Sequence, residues 1–185
     1  MFMRIANPFD GLEEIITENA PLAPFTWYRI GGPAKYLVQP RSVEELVEAA
    51  KRCSENEIPI YVLGLGANLL VADEGVEGAV FRLDQEFWRT VKITGSKLEV
   101  GAGADMQKLL LRTVRAGLAG IECLAGIPGT VGGTPVQNVG AYGQEVSQTI
   151  VRVRAFLVSA MSWMWPWQLW QPTPLAIWIS WLKYT

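Results

Sequence analysis

Apolar positions recur along the first 156 residues with two spacings, and each predicts its own kind of element. Residues 34–40, AKYLVQP, read as a short strand entering a turn. Ser42 then caps a helix in SVEELVEAAKRCSEN, where Val43, Leu46, Val47 and Ala50 share one face and Glu45 stands three residues past the cap. Pro59 breaks the chain, and IYVLG follows as a second strand. Strand, helix and strand in that order are the usual source of parallel pairing. Residues 79–83 and 91–94 read as further strands, the latter pairing with residues 97–100 through the turn TGSK. GAGADMQKLLLRTVRAGLAG predicts a second helix, with Leu109, Leu110 and Val114 on its apolar face and Gly117 closing it. TIVRVRAF, residues 149–156, alternates apolar and basic positions as a half-exposed strand does. The expected fold is α+β, built from two α/β lobes at residues 1–80 and 81–156.

Beyond residue 156 the pattern is lost. Residues 155–182 carry no charge over 28 positions, and six of the chain's eight tryptophans fall between Trp163 and Trp181. Length and hydropathy would suit a membrane helix, with Arg152, Arg154 and Lys183 on its flanks. Pro166, Pro172 and Pro174, together with the glutamines, argue against one. Residues 157–185 are expected to be a tail foreign to the preceding domain, such as the product of a shifted reading frame or a spliced end.

Composition narrows the chemistry. The chain has 185 residues, 50 % hydrophobic and 18 % charged, with a net charge of −2, which describes a globular protein with no basic stripe for nucleic acid. The N-terminus, MFMRIANPFDGLEE, lacks an apolar segment of signal-peptide length, so a cytoplasmic location is expected. Cys53 and Cys123 stand far apart in no metal-binding pattern and read as reduced buried thiols. Histidine is absent. That excludes Ser–His–Asp and Cys–His catalysis, makes a zinc site improbable, and leaves no imidazole tether for a flavin. The chemistry must come mostly from a bound cofactor.

Two glycine clusters suggest where one would sit. GIPGTVGGTPVQNVGAYG, residues 126–143, holds six of the 18 glycines without a charged side chain. VLGLGANLLVADEG, residues 62–75, ends an apolar run. Neither is a dinucleotide or Walker fingerprint, since Leu69 stands where a third glycine would be and no GK[ST] occurs. Glycine allows bare backbone to approach a ligand, and successive N–H groups in a turn form a nest for oxyanions. Two such loops point to a large phosphate-bearing cofactor, with Asn68 orienting a phosphate and Thr130, Gln137 and Asn138 offering neutral hydrogen bonds to a planar ring. Taken alone, the first loop reads as a plain tight turn; the second is the stronger signal, with a buried structural turn as its alternative.

The segments PFTWYRIGGPAKYLVQP, IPIYVLGLGANLLVADEGVEGAVFRL, VGAGADMQKLLLRTVRAGLAGIECLAGIPGTVGGTPVQNVGAYGQEV and RVRAF resemble, in order, the UDP-N-acetylenolpyruvoylglucosamine reductases (UDP-N-acetylmuramate dehydrogenases), flavoenzymes of bacterial peptidoglycan precursor synthesis. The resemblance covers about residues 21–156. It implies a two-lobed FAD-binding domain of the vanillyl-alcohol-oxidase type, with the family's substrate domain missing after it. Gly64, Leu65, Gly66, Ala67, Asn68 and Leu69 would hold the pyrophosphate of non-covalent FAD. Gly126, Pro128, Gly129, Thr130, Gly132 and Gly133, with Asn138, Gly140, Ala141, Tyr142 and Gly143, would lie along flavin and adenosine. Gly103 and Ala104 would line the same cleft. Ala67 stands where the family usually has serine, so one phosphate hydrogen bond is lost.

The same resemblance implies a reaction in which NADPH reduces FAD and the flavin reduces the enolpyruvyl double bond of a UDP-sugar. The family uses a downstream tyrosine–arginine pair, a serine proton donor and a late glutamate. Here the Tyr-Arg pair is Tyr28-Arg29, far upstream, and no carboxylate follows Glu145. No catalytic residue can be placed, and the chain is expected to be inactive alone. The alternatives are a non-catalytic flavin-binding fragment or another FAD oxidoreductase of this fold, such as an alcohol or lactone oxidase.

Overall fold

The structure, a computed structural model, describes residues 7–157, 160–166 and 176–181. Its largest sheet has four strands, β1 (Ile16–Pro21), β2 (Pro33–Val38), β3 (Ile60–Val62) and β4 (Val76–Phe81), in the spatial order β1-β2-β4-β3. β2, β4 and β3 run parallel, and β1 closes one edge antiparallel to β2. The strand–helix–strand unit therefore gives parallel strands that are not neighbours, because β4 takes the place between them. No strand was expected at β1, whose sequence ITENAP has little β propensity. Pairing with β2 decides its conformation instead.

Helix α1 (Val43–Glu55) begins as expected, with the Ser42 hydroxyl accepting from the Glu45 N–H at 3.3 Å. The Glu45 carboxylate does not return to Ser42. It accepts from the Arg41 N–H at 2.7 Å and pairs with the Arg41 guanidinium. The helix buries Leu46, Ala49, Ala50 and Cys53 against the sheet, with Val43 and Val47 at the margin. Strands β5 (Val91–Thr94) and β6 (Lys97–Val100) form the expected hairpin.

Helix α2 (Met106–Arg115) starts at Asp105, whose carboxylate accepts from the Lys108 N–H at 2.9 Å, and ends before Gly117 at φ +71°. Leu109 and Leu110 are buried, but Val114 is 57 % exposed. Thr113 is buried in its place because its hydroxyl is satisfied by the Leu110 carbonyl at 2.8 Å.

One core cluster joins β6 and α2 to Ile121, Leu124, Val131 and Val153. Two others lie on the large sheet, and Leu83, Trp88, Ala102 and Phe156 extend one of them. Trp88 is fully buried, its indole N–H donating to the Pro40 carbonyl at 2.6 Å. A two-residue ribbon, β7 (Gly140–Ala141) with β8 (Gln144–Glu145), turns through Tyr142 and Gly143, both at positive φ.

β9 (Arg152–Leu157) is the centre of an antiparallel sheet between β10 (Ala160–Pro166) and β11 (Ala176–Trp181). The tail thus contributes strands where its prolines suggested interruption. Pro166 ends an edge strand, where a missing donor is tolerated. The rest of the tail, and the first six residues, lie outside the described residues. Among the described residues, no helix is long and apolar enough to cross a membrane.

Candidate functional site

A cleft of about 670 Å³ opens at the carboxyl ends of β3 and β4. Crevices at that end of parallel strands are the usual ligand seats of such sheets. One wall is residues 60–69, β3 and the turn that follows it; the opposite wall comes from residues 124–139, with Ala102, Gly103 and Met106 also lining the cleft.

The first wall follows from the geometry of one turn. Leu63 is tied to the sheet by its N–H to the Phe81 carbonyl at 2.9 Å. Gly66 has φ +63°, and a Cβ there would lie 2.3 Å from the Phe25 carbonyl oxygen. Its own carbonyl accepts from the Trp27 N–H at 3.0 Å, so residues 23–27 brace the turn from behind. None of the backbone N–H groups of Gly64, Leu65, Gly66, Ala67 and Asn68 donates to another described residue. Five consecutive unspent donors beside a cleft make a nest for a polyanion.

The second wall works differently. The Val131, Gly132 and Gly133 N–H groups are spent on the carbonyls of Ala104, Ala102 and Thr130, at 2.8–2.9 Å. A Cβ on Gly132 would come within 2.7 Å of the Ala102 Cβ. At Gly132 the glycine serves a close backbone approach, and the amides of Val131–Gly133 are already used. It presents Leu124, Ile127, Pro128, Val136 and Val139 to the cleft. The two walls meet where a Cβ on Gly64 would stand 3.0 Å from the Thr130 hydroxyl, and where the Asn68 amide donates to Gln137 at 3.5 Å.

Of the expected site residues, the cleft brings together Gly64, Leu65, Gly66, Ala67, Asn68, Leu69, Gly103, Pro128, Gly129, Thr130, Gly132 and Gly133. Seven do not line it. Ala104 is buried in the core, and the Gly126 N–H is bonded to the Gln107 side chain. Asn138 has φ +46°, donates to the Glu145 carboxylate at 2.6 Å and accepts from the Ser147 N–H at 3.1 Å. It braces the ribbon carrying Gly140, Ala141, Tyr142 and Gly143, whose tip, Tyr142, is 94 % exposed. The Tyr28-Arg29 pair lies outside the cleft, with Arg29 bonded to the Pro24 carbonyl.

Sequence reasoning missed the charges. Arg82, Asp84 and Arg89 are the charged residues lining the cleft. Arg82 directly follows β4, pairs with Asp84, and places its guanidinium 4.3 Å from the centre of the Phe25 ring. Asp84 also accepts from the Gln39 amide at 3.0 Å. Burial lowers the Arg82 pKa, Asp84 offsets part of that, and repulsion from Arg89 adds to it. The Arg82 Nε–H is buried with no acceptor among the described residues. Two cations against one anion leave this wall net positive. The available signal was a charge placed directly after the uncharged run GAVF, residues 78–81. No group of metal-ligating side chains occurs among the described residues.

Comparison with known sequences supplies the deciding observation: a family described as FAD binding domain matches residues 34–160. The chain belongs to this FAD-binding domain family. The FAD-binding domain is 45 % identical over 138 residues to the UDP-N-acetylenolpyruvoylglucosamine reductase of Streptomyces coelicolor, covering 75 % of this chain and 35 % of that protein. It is 42 % identical over 135 residues to the same-named protein of Clostridium botulinum, covering 73 % and 44 %. The chain therefore spans less than half the length of these curated relatives. Among solved structures it is similar to UDP-N-acetylenolpyruvylglucosamine reductase from Thermus caldophilus, with a TM-score of 0.74 and 32 % identity over 90 % of this chain and 60 % of that one. A solvent-stable cholesterol oxidase shares the fold at 18 % identity and a TM-score of 0.66, covering 91 % of this chain and 38 % of that one. The fold expected from the sequence, an α+β FAD-binding domain of the vanillyl-alcohol-oxidase type, is the one found.

Proposed function

We propose that this chain is the FAD-binding part of a UDP-N-acetylenolpyruvoylglucosamine reductase, holding FAD non-covalently in the cleft between two lobes, residues 1–80 and 81–156. The observation that carries the reading is the run of five unspent amides at Gly64–Asn68, opposite an apolar wall. The cleft fits the group chemically as well as in size, since ligand sites span about 300–1,000 Å³. A diphosphate would accept from the nest amides without displacing a protein hydrogen bond. Arg82 and Arg89 supply the positive potential that favours it, and Asp84 keeps Arg82 in place. Leu124, Ile127 and Val136 would exclude water from one face of the ring, while Thr130 and Gln137 offer hydrogen bonds at its edge. Gly103, Pro128, Gly129, Gly132 and Gly133 keep that wall close. Ala104, Gly126, Asn138, Gly140, Ala141, Tyr142 and Gly143 act at one remove, through the backbone they support.

When bound, FAD supplies two-electron redox chemistry, taking reducing equivalents from NADPH for an enolpyruvyl UDP-sugar in peptidoglycan precursor synthesis. The residues of this chain bind and orient the cofactor. The one carboxylate that lines the cleft, Asp84, is engaged by Arg82 and Gln39. A cytoplasmic location is part of the same reading, supported by the two free thiols and by the relatives' role. Titration of the purified chain with FAD, followed by flavin fluorescence, tests the proposal. Saturable quenching at about one flavin per chain is the expected result. A folded chain that leaves the fluorescence unchanged would overturn it.

A further inference from the structure

Gln107 lies outside the cleft, yet its amide is used completely by the loop that forms the apolar wall. Its Nε2 donates to the Ile127 carbonyl at 2.7 Å and to the Leu124 carbonyl at 3.0 Å, and its Oε1 accepts from the Gly126 N–H at 2.9 Å. These groups span a stretch without a strand partner, bent through Gly126 at φ +84°. Continuing the same contact, the Met106 N–H reaches the Gly129 carbonyl at 3.0 Å and the Val131 N–H reaches the Ala104 carbonyl at 2.9 Å. The start of α2 is thus stitched to the loop, with Gln107 as the side-chain member of the seam. Leu124, Ile127, Pro128 and Gly129 project from that seam into the cleft.

We infer that Gln107 is a positioning residue for the ring end of the ligand: it substitutes for a missing strand and presets the apolar wall before anything binds. The inference rests on the flavin reading for the identity of the ligand, though not for the state of the loop. Because the diphosphate would be held by the opposite wall, loss of Gln107 should separate the two halves of the cofactor. Gln107→Met keeps the chain length and removes all three hydrogen bonds. Gln107→Glu keeps the acceptor for Gly126, loses both donations, and sets a carboxylate against two carbonyls.

The test has two arms on the full chain. In the first, FAD and ADP are titrated separately into the unsubstituted protein and both variants. FAD affinity should fall at least about tenfold in both variants while ADP affinity stays within about twofold. In the second, hydrogen exchange is followed at the Gly126 amide without ligand. The unsubstituted protein should protect it, Gln107→Glu should protect it less, and Gln107→Met should release it. Unchanged FAD affinity in the variants, equal losses for FAD and ADP, or a Gly126 amide that exchanges freely in the unsubstituted protein would each overturn the inference. Failure of the unsubstituted chain to bind FAD would overturn the flavin reading instead, and the exchange arm would still decide the role of Gln107.

Discussion

Gly66→Val should abolish tight cofactor binding while leaving most of the fold in place. The residue sits at φ +63°, and its would-be Cβ lies 2.3 Å from the Phe25 carbonyl oxygen and 2.9 Å from the Thr26 Cα. Left-handed backbone costs an ordinary residue about 1–2 kcal/mol, and a β-branched side chain sits at the upper end. Both contacted atoms are backbone, so a rotamer change cannot relieve the clash. The turn must move away from residues 23–27, which breaks the Trp27 N–H to Gly66 carbonyl bond and costs about 1 kcal/mol more. Together, about 2–3 kcal/mol must be met by abandoning the geometry that aligns the five amides. That corresponds to about a 30- to 150-fold loss of FAD affinity. Ala67→Ser, one residue along, is the control, because it adds a hydroxyl without a backbone constraint and should change affinity by less than about fivefold. Calorimetric titration of both variants with FAD, after circular dichroism has shown each to be folded, provides the measurement. Gly66→Val binding FAD within threefold of Ala67→Ser would refute the reasoning and remove the turn from the site.

Three further outcomes are expected. Gly103→Ala should fail as a fold rather than as a site, because its Cβ would lie 1.7 Å from the Leu83 carbonyl oxygen; a soluble variant melting normally would contradict the close approach. Trp88→Phe leaves the buried Pro40 carbonyl without its donor and should cost about 1–3 kcal/mol, lowering Tm by about 2–12 °C in a thermal melt. Burial pushes the Cys53 thiol up to about 12 from an ordinary 9.0. The folded state therefore keeps a proton that the unfolded chain gives up above pH 9, so this contribution is full below pH 9 and is lost as the pH rises toward 12. Cys53→Ala should flatten the alkaline fall in Tm, and an unchanged slope would argue against it.

Local elements were legible because local rules decide them. Ser42 caps one helix, Gly117 ends the other, and TGSK turns the hairpin, each through residues adjacent in sequence. Sheet order was not legible, since the insertion of β4 between β2 and β3 depends on contacts some 40 residues apart. The glycine count marked both walls of the cleft but could not tell their jobs apart. At Gly64–Asn68 the amides are free, whereas at Val131–Gly133 they are spent, and only the partner carbonyls distinguish the two. Arg82 was invisible for a similar reason, as one charge after an uncharged run acquires meaning only when Phe25, Asp84 and Arg89 gather around it.

The placement of β4 also dictates an order of events as the chain emerges from a ribosome. β3 is hydrogen-bonded into its sheet through β4, and the Leu63 N–H donates to the Phe81 carbonyl. A nascent polypeptide ending near residue 70 would carry every amide of the nest and the residues 23–27 that brace it, but not β4, which ties β3 into the sheet. On the proposed reading, the cofactor is held only once synthesis has passed residue 81, and the opposite wall arrives some fifty residues later still.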